Sequence, residues 1–208
     1  MQSLPTFEFE KELWVKGLKI IAGADEVGRG ALAGPVVAAV VVFGIDERIN
    51  VLIHDSKQLT QKQREVADIW IKKNAHYWGI GSANPSEINK LGIVKATNKA
   101  FRRAIKNSGI KLDFLLVDAF YIPKIKNLPK RKQLPIIKGD GKSISIAAAS
   151  IIAKVYRDEL MRNLATNSKY KKYRWDKNKG YGTLMHRTVI KKEGITKLHR
   201  VSFLLKLS

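Results

Sequence analysis

The sequence predicts one α/β domain that runs on into a mostly helical C-terminal section. Three observations carry this. Residues 19–25 and 36–43 are nearly continuous apolar runs rich in β-branched side chains, the pattern of buried strands, with a glycine-rich turn at 28–34 between them. Up to residue 165, segments of strand character alternate with segments of helical period. From Ser168 onward the chain turns basic and aromatic and its periodic stretches are helical.

The elements follow in order. A turn as short as 28–34 predicts that the first two strands pair antiparallel. Thr60 can cap a helix running to Asn74, with Val66, Ile69 and Trp70 on its apolar face. Residues 76–83 alternate as a third strand. Asn84-Pro85-Ser86 breaks the chain, and a short helix spans 86–89. Residues 92–108 place Ile93, Val94, Ala96, Ala100, Phe101, Ala104 and Ile105 at helical spacing, with Gly109 as the stop. Residues 113–119 form a fourth strand with Asp118 near its end. The stretch 121–134, rich in Pro, Lys and Arg, is a loop; 134–138 is a short fifth strand; 143–165 is a long helix. Helical stretches follow at 183–192 and after Thr196.

Composition narrows the function. The chain has 208 residues, enough for one full core, and balances 39 Lys+Arg against 18 Asp+Glu, a formal charge of +21. That charge points to a polyanionic partner, nucleic acid first, since no basic amphipathic membrane anchor stands out. Absence of cysteine excludes disulfides, Cys-ligated zinc and thiol nucleophiles. The N-terminus lacks the regions of a signal peptide, and the longest apolar run, 35–43, is too short to span a bilayer. A cytoplasmic, monomeric protein with no membrane partner is the expectation.

Four acids stand at strand ends or adjacent loops: Asp25, Glu26, Asp118 and Asp140. Carboxylates are hard oxygen ligands of the kind Mg²⁺ and Mn²⁺ take. Adjacent strand residues point to opposite faces, so Asp25 and Glu26 serve one site only where the strand ends or twists. Turn chemistry offers another account of Asp118 and of Gly139-Asp140-Gly141. Gly28-Arg29-Gly30 offers backbone groups that a ligand can approach closely. Lys57 suits a phosphate, or is a solvated surface lysine. Ser143 can cap the long helix and present its N-terminus, with Lys142, to a phosphate. Tyr181, between Gly180 and Gly182, either stacks on substrate or plugs the core. His186 either approaches phosphate or packs a helix, and Asp158, beside Arg157, reads as structural or at most as a support behind the site residues. Two basic regions are candidates for duplex binding. One holds Lys124, Lys126, Lys130, Arg131 and Lys132; the other runs over 169–179, its cations interleaved with Tyr170, Tyr173 and Trp175.

Asp25-Glu26-Val27-Gly28-Arg29-Gly30 resembles the signature of type 2 ribonuclease H, the ribonuclease HII family. The resemblance continues through Asp55-Ser56-Lys57, Val117-Asp118-Ala119 and Lys138-Gly139-Asp140. It extends over the Ser145 to Val155 stretch with Arg157-Asp158, Lys179-Gly180-Tyr181-Gly182-Thr183 and His199-Arg200-Val201-Ser202-Phe203. These blocks, in order, cover about residues 20 to 203. Ala31 stands where a proline is usual, and Gln58 where a second lysine is usual.

The resemblance implies a ribonuclease H-like fold: a five-stranded mixed sheet flanked by helices, with residues 1–167 as catalytic domain. Residues 168–208 would be a C-terminal extension in the same folding unit, completing the substrate groove. It implies that Asp25, Glu26, Asp118 and Asp140 hold Mg²⁺ or Mn²⁺. Substrate contacts fall to Gly28, Arg29 and Gly30, to Ser56 and Lys57, to Lys142 and Ser143, and to Tyr181 at the ribonucleotide. The implied activity is endonucleolytic: cutting the RNA strand of RNA–DNA hybrids, and cutting 5′ of single ribonucleotides in duplex DNA, leaving 3′-hydroxyl and 5′-phosphate. Two ions about 4 Å apart suit such an in-line displacement, and without metal the clustered carboxylates bind protons more readily. The alternatives are a related two-metal nuclease such as a junction resolvase, or a basic nucleic-acid-binding protein without catalysis.

Overall fold

The structure is a computed structural model and describes residues 4–45 and 47–204. Residues 1–3 and 205–208, at the two outer bounds of the expected segments, lie outside the described residues. The sheet is built from β1 (Ile21–Val27), β2 (Val36–Val42), β3 (Tyr77–Ala83), β4 (Phe114–Asp118) and β5 (Gln133–Ile136), in the order β3-β2-β1-β4-β5. β1 and β2 pair antiparallel, as the short turn requires, and β3 continues the meander. β4 and β5 run parallel to β1, each reached by a long crossover. The mixed five-stranded sheet matches the ribonuclease H-like expectation.

Strand alternation divides the core. Ala22, Ala24, Val36, Ala38 and Val40 meet α4 (Ile93–Asn107) on one face. Val37, Ala39 and Val41 meet α2 (Gln61–Asn74) and α5 (Ile144–Thr166) on the other. The start of α5 presses on β1 at Gly23, where an added Cβ would lie 2.1 Å from the Ser145 carbonyl carbon. Small side chains at Ala147, Ala148 and Ala149 continue that close approach.

Several elements depart from the sequence reading. α1 (Glu8–Val15) has no counterpart among the expected elements; its main tie is Glu10, which reaches Ser143, 133 residues away. α2 begins at a Thr60–Gln63 capping box but buries Ala67, Asp68 and Ile71, while Val66 and Ile69 are exposed. The helical period admits both stripes, and the salt bridge from Lys72 lets the stripe containing Asp68 face inward. β5 is shifted one to two residues earlier, because the Gln133 side chain bonds Ile122 and Leu128 of the preceding loop. α3 (Pro85–Leu91) is longer than expected at both ends.

The last section folds back onto the domain as α6 (Ser168–Lys171), α7 (Trp175–Asn178), α8 (Leu184–Glu193) and α9 (Val201–Leu204). Tyr170, Tyr173 and Trp175 stack on one another and, with Ala33 and Met161, form a buried cluster. The aromatics interleaved with the second basic region therefore pack the chain and are not free to stack on bases.

Candidate metal centre and nucleic-acid interface

β1 and β4 are parallel neighbours with Ala24 opposite Val117, so Asp25 and Asp118 leave adjacent strands at the same carboxyl edge. Asp140 joins them from a one-turn 3-10 helix, Gly139–Gly141, just before α5. The sheet does not end at Asp25: Glu26 still pairs with Ala38. The two side chains nevertheless border one depression, together with Val27, Ser56, Lys57, Arg64, Ser150, Lys154 and Tyr181. Asp118 and Asp140 border a second depression with His54, Asp55, Lys142 and again Lys57. Lys57 thus stands on the ridge between two carboxylate pairs.

Electrostatics marks this edge as a place of stored repulsion. Burial, then the charges of Glu26 and Asp118, pushes the Asp25 carboxyl well above the usual carboxylate range. Burial also raises Glu26, opposed by the Arg29 guanidinium 3.1 Å away. Asp118 is raised by burial and by Asp140, against a 2.8 Å hydrogen bond donated by the Gly139 amide. Burial is the largest single influence on Lys57 and lowers it, but Asp140 at 3.3 Å, with Asp55 and Asp25, outweighs it and raises the ammonium overall.

No three His, Asp or Glu side chains among the described residues come together as a ready-made set of metal ligands. The geometry gives the reason: Glu26 is turned to Arg29 and Asp140 to Lys57. The donor set still fits a hard divalent cation. All four donors are carboxylates, and Glu26 Oε2 is buried with no hydrogen-bond partner among the described residues.

The other expected site residues divide. Tyr181 is half-buried and walls the Asp25 depression. Lys142 is exposed beside Asp140. Gly30 is exposed, whereas Gly28 is buried. Ser56 is nearly buried and shares its hydroxyl with Ser150 at 2.9 Å. Ser143 corrects the expectation of a substrate contact. It does cap α5, accepting from the Ile146 amide, but it is fully buried and its hydroxyl donates to Glu10. The Glu10 carboxylate also accepts from the Ser145 amide, so the chain closes that helix start itself and no phosphate can dock there. Ala31 donates its amide to the Gly28 carbonyl, a bond that the proline usual at this place could not make.

His186 packs rather than faces solvent. Its Nδ1 donates to the Tyr181 carbonyl, and its Nε2 accepts from the Trp175 indole. Asp158 pairs with Lys154 at 2.8 Å and not with its neighbour Arg157, which is fully buried.

The sequence profile of the family described as ribonuclease HII matches residues 22–206. The ribonuclease HII of Caldanaerobacter subterraneus subsp. tengcongensis is 48% identical over 199 residues, 96% of this chain and 80% of that relative. The chain belongs to the ribonuclease HII family. The ribonuclease HII of Wolbachia sp. subsp. Brugia malayi is likewise 48% identical, over 96% of this chain and 93% of that relative. Among solved structures, the ribonuclease HII in the PCNA:RNase HII complex from Archaeoglobus fulgidus superimposes with a TM-score of 0.71 at 25% identity, over 89% of this chain and 94% of that one. Ribonuclease H2 from Pyrococcus horikoshii OT3 gives 0.68 at 24% identity, over 90% of this chain and 96% of that one, and shows the shared fold. As a ribonuclease HII, this chain is a metal-dependent endoribonuclease acting on RNA paired with DNA.

Glu10, Arg157 and Arg200 are the residues of this region that sequence reasoning missed as contributors. All three are charged and fully buried. Only Arg157 and Arg200 carried a signal: both lie inside the blocks that carry the family resemblance.

Proposed function

We propose that Asp25, Glu26, Asp118 and Asp140 hold two Mg²⁺ or Mn²⁺ ions, and that the chain cuts RNA–DNA hybrids and the 5′ side of single ribonucleotides in duplex DNA. The observation that carries this reading is one shared hollow: the depression bordered by Asp25 and Glu26 is also walled by Tyr181. Two bound ions would supply an activated water and a stabilised leaving 3′ oxygen.

The chain's own groups do the rest. Arg29 pairs with Glu26 and Lys57 with Asp140, counterions that bound cations would replace. Were Asp140 to hold a cation, the Lys57 ammonium would be placed to meet a phosphate, with exposed Lys142 beside it. The Gly28-Arg29-Gly30 backbone reads the 2′-hydroxyl, the one sugar difference between RNA and DNA. Tyr181 packs on the neighbouring sugar. A leaving 3′-hydroxyl and a 5′-phosphate follow from in-line attack of water on the phosphate. The solved RNase HIII bound to Mn²⁺, which shares the fold, supports the choice of metal by analogy.

Cleavage titrated with Mg²⁺ and with Mn²⁺ tests the reading on three substrates: a uniform hybrid, a duplex with one ribonucleotide, and a DNA four-way junction. The first two should be cut and the junction left intact. Tyr181→Ala should slow the single-ribonucleotide substrate more than the uniform hybrid, by about ten- to a hundredfold. Equal losses on both would make Tyr181 a general contact.

A further inference from the structure

We infer that Arg200, with Arg157 beside it, is a positioning residue for ribose recognition: its buried guanidinium fixes the peptide plane that aims the Gly30 amide outward. The inference rests on the reading of the Gly28-Arg29-Gly30 turn as the ribose sensor.

Both guanidiniums are fully buried, and among the described residues neither has a carboxylate within ion-pair distance. Burying an unpaired charge is costly, so such groups persist where their donors are needed. Here the paired donors go to main-chain carbonyls, and Arg200 Nη2 is left without a partner among the described residues. Arg200 Nε donates to Gly34 at 3.0 Å, and its Nη1 donates to the Arg29 carbonyl at 2.8 Å. Arg157 donates to Pro35, Ala33 and Lys179, and its guanidinium lies 5.3 Å from the centre of the Tyr181 ring. Together they span the turn after β1, the start of β2 and the Gly180-Tyr181-Gly182 turn.

The geometry has a directional consequence. A trans peptide is planar, so the C=O of Arg29 and the N–H of Gly30 point opposite ways. With that carbonyl held inward by Arg200, the Gly30 amide is turned away from the core, and Gly30 is the exposed member of the turn. The Gly28 carbonyl is engaged as well, by the Ala31 amide. The turn therefore offers its substrate a donor at Gly30, matched to a lone pair of a 2′-oxygen.

The glycines fit this division. An added Cβ at Gly28, where φ is +88°, would lie 2.2 Å from Arg157 Nε, so this glycine makes room for the buried arginine. At Gly30 an added Cβ would meet nothing within 4 Å. Space at Gly30 is open to the outside, where a sugar would approach.

The test is a ratio of affinities, measured without divalent metal at fixed salt by fluorescence anisotropy. It compares a duplex carrying one ribonucleotide with the same duplex in all-DNA form. A ratio does not change with the folded fraction, so a destabilised variant remains informative at a temperature where circular dichroism shows it folded. Wild type should favour the ribonucleotide, and Arg200→Met should bring the ratio roughly tenfold closer to one. Arg200→Lys keeps the charge without the fork and should not restore it. An unchanged ratio in Arg200→Met, or full restoration by lysine, overturns the proposal. Tyr181→Ala separates the layers. If wild type shows no preference and Tyr181→Ala has no selective effect on cleavage, the ribose-sensor reading fails. If both behave as expected and Arg200→Met alone does not, only the arginine proposal fails.

Discussion

Two regions of this protein bury like charges, and they treat them oppositely. At the carboxyl edge of β1 and β4, Asp25 and Glu26 border one open depression and Asp118 and Asp140 the next, and Glu26 Oε2 has no hydrogen-bond partner among the described residues. In the knot where the C-terminal section packs on α5, Arg157 and Arg200 are sealed from solvent and their paired donors go to carbonyls, Arg200 Nη2 alone being left without a partner among the described residues. Burial and then the charge of Arg157 lower Arg200 to about 9, so repulsion is present in the knot too. The difference is access. Repulsion facing a cleft can be relieved by a cation from outside; repulsion inside a packed knot can be offset only by dipoles already there. The first makes a site and the second makes a brace.

Neutralising the cleft should cost chemistry and spare the fold. Asp118→Asn should lower cleavage on the order of a thousandfold, several kcal/mol of transition-state stabilisation. Its melting midpoint in metal-free buffer should stay level or rise, since a repelling charge is gone. Retained activity would break the assignment of the cleft.

Neutralising the knot should do the reverse. Arg157→Met leaves the Pro35, Ala33 and Lys179 carbonyls without their donor and should cost about 3 kcal/mol of stability, read by urea denaturation. A stability loss in Asp118→Asn matching that of Arg157→Met would erase the contrast between the regions.

The pH dependence should also differ in sign. Asp25, Glu26 and Asp118 are raised by burial, so their contribution is present below the usual carboxylate range and is lost as pH rises through their raised values. His199 is lowered to about 4 by burial and then by His186, which burial lowers as well. For these imidazoles the unfolded chain holds more protons, so their contribution is lost as pH falls from about 6.5 toward 4. Mg²⁺ must displace protons from the cleft, so it should raise the melting midpoint more at pH 8 than at pH 5. Equal shifts would argue that the carboxylates do not take the ion.

The smallest effect concerns the basic surface. Binding should weaken linearly in log salt, with a slope of about −0.9 per phosphate contact on B-form DNA. Lys172 already faces Glu193 at 2.9 Å, so Lys171→Gln should flatten that slope more than Lys172→Gln. The opposite order would place the duplex on the Glu193 side of the knot.

How legible all this was follows from the range of each contact. β1, β2 and their antiparallel pairing are written in local apolar runs and one short turn. The four acids stand out because carboxylates are scarce on a chain of charge +21. The buried stripe of α2 was not legible, since Val66 and Ala67 begin equally good helical stripes, and the Asp68 stripe that faces inward is made tolerable by Lys72. Arg200 and Glu10 were least legible in role: their partners lie 166, 171, 133 and 135 residues away, so nothing local shows what either holds, even though Arg200 lies in a recognisable block. Ser143 shows the same limit, since its capping role is local and its occlusion by Glu10 is not.

The clasp between Glu10 and the start of α5 also sets a timetable. Thr6 exchanges backbone hydrogen bonds with Lys142 and Ile144, so this segment waits on one synthesised more than a hundred residues later. Until those later residues emerge, α1 has no carbonyl or hydroxyl to dock on, and its Phe9, Leu13 and Trp14 lack the cluster they join in the finished fold. The nascent enzyme therefore carries an exposed oily segment until the start of α5 has emerged, and the Asp140 turn is latched only then.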